Sequence, residues 1–411
     1  MLKKMRILYF SDEFLPAVTG GAAIMAYNFA AALLKKGHEV FVITASQDRS
    51  RAGESEIDGI KVFTFYSKYP IFLRHYISLY NPFAVSKIKK ILKNIKPDVV
   101  HAHNINSHIS YHSLKLAKKF GCKVFFTAHD TMLVSYGKTY FPCGSNDFKI
   151  TVWQNIKIAG KRFNPFRNIA IKIYLRYVDK IFAISLVLKE FLASNGIESE
   201  LLHNGINVKE WEKIDYEKIN EFKKEFNIAD KKIVLFGGRL SGAKGGEQVI
   251  RSFNFVLKRF ADAILLVAGK KDEYANTMFN LAVEEGIGGK IIFMGWLDRK
   301  KMKTAFFASD VCVTPSIYFD PFNLFNIEAM AAGKPVVGTC FGGTPEIVID
   351  NETGYIVNPL NDKLMADRIL NLLEDKTKAE TFGVNGRKRV EENFSLSQQT
   401  DKLINYYLQE K

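Results

Sequence analysis

Short runs of β-branched and aromatic residues alternate along the chain with longer stretches whose apolar positions recur every three or four residues. Such alternation predicts strand–helix–strand units and a parallel sheet with helices on both faces. Arg6–Phe10 reads as the first strand and Ala22–Lys36 as an apolar-faced helix stopped by Gly37. Glu39–Thr44, Val62–Phe65, Val99–His101, Val124–Ala128 and Ile181–Ile184 continue the series. The rhythm pauses over the charged, helix-like stretch Val208–Asp230, then restarts with strands at Val234–Gly237, Ala263–Ala268, Ile291–Met294, Val311–Thr314, Pro335–Gly338 and Tyr355–Val357. The chain is therefore expected to form two doubly wound α/β domains facing across a cleft, residues 1–206 and residues 207–392, followed by an amphipathic helix over 393–411.

The 411 residues suffice for two or three domains with real cores, and 47% apolar with 25% charged residues is globular composition. No apolar run approaches the roughly 18 residues of a membrane span. The start, which meets Asp12 early, reads as a strand rather than a secretion signal. Four cysteines (Cys122, Cys143, Cys312 and Cys340) stand far apart without a CxxC, so neither a zinc ribbon nor a disulfide framework is expected, and a cytoplasmic location is.

Charge changes the picture more. Residues 1–200 hold 29 Lys/Arg against 14 Asp/Glu, so the whole net charge of +15 belongs to the first half. Such a lobe suits an anionic partner. A helix over Asn81–Lys96 carries Lys87, Lys89, Lys90 and Lys93. Residues 157–180 interleave Lys157, Lys161, Arg162, Arg167, Lys172, Arg176 and Lys180 with aromatics. No nucleic-acid motif accompanies them, which favours an anionic membrane surface over nucleic acid.

Three glycine- or carboxylate-bearing segments carry candidate chemistry. Gly20 and Gly21 precede a helix, where backbone N–H groups can approach an anion, but the spacing is not GxGxxG. Arg239 and Lys244 flank the glycine-rich turn Gly237–Gly246 at another helix start, a diphosphate-binding combination of planar fork, point charge and N–H groups. Asp320 and Glu328 stand eight residues apart, one before a helix and one within it, suited to a sugar hydroxyl and a ribose diol. His129 follows a strand directly. His101 and His103 form a His-x-His, for which no third metal ligand is evident.

In this order the segments resemble the retaining GT-B glycosyltransferases of family 4 (glycosyl transferases group 1). The resemblance rests on Gly20-Gly21, Lys36–Val40, Pro97–His103, Thr127–Asp130, Asn204–Ile206, Gly238–Leu240 with Lys244-Gly245, Asp320–Glu328, Gly342–Val348 and Thr353-Gly354. It implies that Arg239 and Lys244 neutralise a nucleotide-sugar diphosphate, that Glu328 binds the ribose, and that Asp320 holds the transferred sugar. It further implies that backbone N–H groups of Asn323, Leu324 and Phe325 touch phosphate or sugar, that Gly20 and Gly21 close over the diphosphate, that His129 sits by the sugar, and that the helix over 393–411 crosses back onto the first domain. The family usually has Glu where Asp320 stands and Gly where Asn323 stands.

The implied reaction is metal-independent transfer, with retention, from a UDP- or GDP-sugar to a saccharide or lipid-linked hydroxyl. No resident cofactor is implied, and no Asp-x-Asp metal clamp occurs in the chain. A peripheral position at the inner membrane face is expected. The alternative is a catalytically weak subunit supporting a partner transferase.

Overall fold

A computed structural model describes residues 3–16, 20–212, 214–238 and 240–409. Two compact units emerge from the contacts. The first comprises residues up to Thr139, Asp147–Gly205 and the segment from Leu396 onward; the second comprises Tyr140–Asn146 and Ile206–Ser395.

The first unit is built on strands β1 (Arg6–Ser11), β2 (Glu39–Ser46), β3 (Gly53–Ile57), β4 (Ile60–Tyr66), β5 (Val99–His103), β6 (Lys123–Ala128), β7 (Lys180–Ala183) and β8 (Glu200–Leu201). They form one sheet in the order β3-β4-β2-β1-β5-β6-β7-β8. Every pairing is parallel except the β3–β4 hairpin at the edge. The strand order reverses beside β1, between β2 and β5, which puts this sheet's crevice at the carboxyl ends of β1 and β5.

Helix Pro82–Ile95 shows how local sequence sets an element. The Asn81 side chain accepts from the Phe83 N–H at 3.1 Å, and Pro82 fills the first turn, where its missing N–H costs nothing. Ala84, Val85, Ile88 and Leu92 are buried, and Lys87, Lys89, Lys90 and Lys93 are exposed. Lys96 leaves in the left-handed region (φ 48°) ahead of Pro97. The last helix, Leu396–Leu408, groups with this unit; it buries Leu403, Ile404 and Tyr407 and pairs Lys36 with Asp401 at 2.7 Å.

The second unit holds β9 (Ile233–Gly237), β10 (Ile264–Ala268), β11 (Ile291–Gly295), β12 (Val311–Thr314), β13 (Val336–Thr339) and β14 (Gly354–Val357), in the order β11-β10-β9-β12-β13-β14. All pairings are parallel. β9, β10 and β12 are buried at every residue, as strands covered by helices on both faces must be. The reversal of strand order lies beside β9, between β10 and β12.

Two expectations need correction. Cys143 and Cys340 form a disulfide across 197 residues of sequence, so the cysteines are not all unpaired; Cys122 and Cys312 are free and buried. Tyr140–Asn146, which sequence order puts in the first domain, groups with the second unit. Its Cys143 is bonded there, and the Phe141 ring meets Phe319 edge-on at 5.5 Å.

Candidate functional site

In the second unit the loops after β9 and β12 converge at the point where strand order reverses. The chain after β9 enters a short turn, Gly242–Lys244, and then helix Gly246–Leu257. Gly245 adopts φ +78°, and a Cβ there would lie 1.8 Å from the Pro315 carbonyl oxygen, so only glycine fits this approach. The Ile317 N–H donates to the Ala243 carbonyl at 2.9 Å and stitches the two loops together.

That stitching brings Lys244 and Asp320 into contact. Lys244 Nζ donates to Asp320 Oδ2 at 2.5 Å and lies 5.6 Å from the centre of the Tyr318 ring. The Asp320 side chain is 8% exposed and that of Lys244 19%, so the pair is little screened. Asp320 is held from behind: its carbonyl accepts from the Gly343 N–H at 2.8 Å, and Gly342 (φ +66°) packs so closely that a Cβ would lie 2.2 Å from that same oxygen. Arg239, the other expected diphosphate ligand, lies outside the described residues.

From Asp320 the chain passes through Pro321 and Phe322 into helix Leu324–Ala331. Asn323 caps the start of this helix, its Oδ1 accepting from the Phe325 N–H at 3.2 Å. Of the three backbone groups expected to meet a ligand, the one on Phe325 is therefore already engaged by the side chain that stands where the family usually has glycine.

Within the same helix, buried Asn326 accepts from Thr314 Oγ1 at 2.7 Å and donates to Thr344 Oγ1 at 3.3 Å, fixing the helix against β12 and the segment after β13. Glu328 is half-buried, and burial pushes its carboxyl up to about 7, with Arg299 opposing.

The remaining expected residues lie in the first unit. Gly20 precedes helix Gly21–Lys35 in extended conformation, with no side chain capping the helix. A Cβ at Gly20 would meet nothing within 4 Å among the described residues. His129 follows β6; its Nε2 lies 3.0 Å from His103 Nδ1, and burial holds its pKa down to about 3.

Several contributors gave no readable signal. Asp12, beside β1, accepts from the backbone N–H groups of Ser107, His108 and Ile109 at 2.6–2.8 Å and so ties the loops after β1 and β5 together. Arg167, expected on a basic surface, is fully buried. Its guanidinium lies 4.6 Å from the Tyr136 ring centre and donates to the Met132 carbonyl and to Asn168 Oδ1, so it builds the core and does not face a partner.

Comparison with known proteins bears on the family and the fold. The family described as Glycosyltransferase Family 4 matches residues 19–210, and that described as Glycosyl transferases group 1 matches residues 217–389. An uncharacterized glycosyltransferase of Methanocaldococcus jannaschii is 30% identical over 98% of both chains. Among solved structures, sucrose-phosphate synthase of Thermosynechococcus elongatus superposes with a TM-score of 0.78 at 23% identity, covering 98% of both chains. HepE of Anabaena, solved with UDP and glucose, superposes at 0.74 and 17% identity, covering 98% of this chain and 99% of its own.

Proposed function

Because the chain belongs to the group 1, family 4 glycosyltransferases and has their GT-B fold, we propose that it moves a sugar from a nucleotide-diphosphate sugar to a hydroxyl of a saccharide or lipid-linked acceptor, with retention. The observation that carries this reading is the Lys244–Asp320 pair, seated where the sheet's strand order reverses. Lys244, with Arg239, meets the diphosphate; Asp320, released from Lys244, takes a sugar hydroxyl; Glu328 accepts from the ribose diol; His129 contacts the sugar.

As the bond from the anomeric carbon to the diphosphate oxygen breaks, negative charge grows on that oxygen, and cations already aimed there stabilise it without reorganising. The acceptor oxygen bonds to the same face of the carbon, and its proton passes to the departing phosphate. Thermal-shift and transfer assays with UDP-, GDP- and ADP-sugars test the reading. A nucleotide sugar at 100 times its dissociation constant adds about 2.7 kcal/mol of stability. If none raises the melting temperature and none is turned over, the reading fails.

With cations in the place of a metal clamp, transfer is expected to persist in excess EDTA. Abolition by EDTA with recovery on adding magnesium or manganese contradicts this. The Asn323 cap favours a second reading, a weak transferase that supports a partner enzyme, since it occupies an N–H that a ligand would use. Low turnover that rises when Asn323 is replaced by glycine supports it.

No helix among the described residues is long and apolar enough to cross a membrane. We propose reversible binding to anionic lipid through the first unit. Phe83, Trp153, Phe166 and Ile169 are each more than half exposed there, on or beside the two basic stretches that carry exposed Lys87, Lys89, Lys90, Lys93 and Lys161. Each basic residue near such a surface contributes about 1 kcal/mol. Wild-type protein should co-sediment with anionic vesicles and less so at high salt, and reversal of the four helix lysines should weaken this. Indifference to anionic vesicles at low salt refutes it. Arg167 is left out of the test because its charge is buried.

A further inference from the structure

His101 and His103 take no part in the site proposed above. Two residues apart on β5, they share one face of the sheet, and their rings stack with centroids 4.3 Å apart. Both nitrogens of His101 are engaged: Nε2 with Thr127 Oγ1 at 2.8 Å and Nδ1 with the Tyr407 hydroxyl at 2.5 Å. His103 is different. Its Nδ1 lies 3.0 Å from His129 Nε2, while its Nε2 is buried without a partner among the described residues.

The two nitrogens facing each other are at hydrogen-bond distance, so they share one proton rather than converge on an ion. Burial keeps both rings neutral, and each therefore carries a single N–H. If His129 donated, the His103 proton would sit on Nε2 as a buried N–H without an acceptor. If His103 donates, only a lone pair is left unused, and orphaned buried N–H groups are the rarer case. We propose that His103 is a positioning residue that donates its Nδ1–H to His129 Nε2 and so fixes His129 as the Nδ1–H tautomer. His129 then offers a neutral N–H at the carboxyl end of β6, matched to an oxygen of the transferred sugar. That consequence rests on the role proposed for His129; the tautomer itself does not.

The test is a long-range proton–nitrogen correlation spectrum of the full chain labelled with 15N-histidine, without ligand, the His129 signals being assigned from His129→Asn. Wild type should show His129 protonated at Nδ1. His103→Asn, whose amide N–H stands near the lost Nδ1–H, should keep that form; His103→Met, whose thioether sulfur accepts but cannot donate, should move it toward Nε2–H. In parallel, kcat/KM should fall about tenfold in His103→Met and recover in His103→Asn. Protonation of wild-type His129 at Nε2 overturns the proposal, as does an unmoved tautomer in His103→Met. If the methionine variant does not fold, the wild-type and asparagine spectra decide. A protein that turns over no nucleotide sugar refutes the proposed function while leaving the tautomer result intact.

Discussion

Lys244→Ala is expected to cut transfer by about 100-fold or more, the typical cost of losing one preorganised contact to developing charge. Arg239→Ala should do the same. Alanine at 244 also leaves the Asp320 carboxylate, 8% exposed, without its cation, and breaking such a pair destabilises the fold. The double variant Lys244→Met/Asp320→Asn removes both charges and separates the two effects. It should melt near the wild-type temperature yet remain inactive. Measuring kcat/KM and melting temperature for each variant decides the matter, and near-normal turnover in the double variant would remove Lys244 and Asp320 from the site.

Glu328→Gln should make the protein more stable and a poorer binder at once. Burial raises the carboxyl from its ordinary 4.5 to about 7. A raised folded-state pKa means that the folded chain holds the proton longer than the unfolded chain. The resulting stability is full below about pH 4.5 and is lost as pH rises through about 7. Above pH 7 the half-buried carboxylate costs at most roughly 3 kcal/mol, since each tenfold change in proton affinity is worth about 1.36 kcal/mol and solvent screening lowers it. Glutamine escapes that cost, so its gain in melting temperature should be clear at pH 8, about a quarter as large at pH 5 and absent below about pH 4. Nucleotide-sugar affinity should fall about tenfold or more, because a charge-assisted hydrogen bond contributes about 1.5–3 kcal/mol. An equal gain at both pH values with unchanged affinity contradicts the assignment.

The strand–helix alternation was legible because central parallel strands are covered on both faces and must be apolar throughout, as in Ile233–Gly237. The edge strand Gly53–Ile57 escaped notice because it is largely exposed and carries Glu54 and Glu56. The segments bearing Lys244, Asp320 and Glu328 could be found from glycine and carboxylate spacing along the chain. Their contacts could not: the Cys143–Cys340 bond joins residues 197 apart, and no local pattern announces it. Nor does anything in a run of basic residues single out Arg167 as the buried one.

The final helix has a consequence for how the protein is made. The first unit contains helix Leu396–Leu408, so it is incomplete until those residues leave the ribosome. Until then His101 lacks the Tyr407 hydroxyl, and the second unit, Ile206–Ser395, is already synthesised. The unit whose synthesis begins first is therefore completed only after the other, and a nascent chain stalled before residue 396 would carry an unfinished first unit with the apolar bed of that helix exposed.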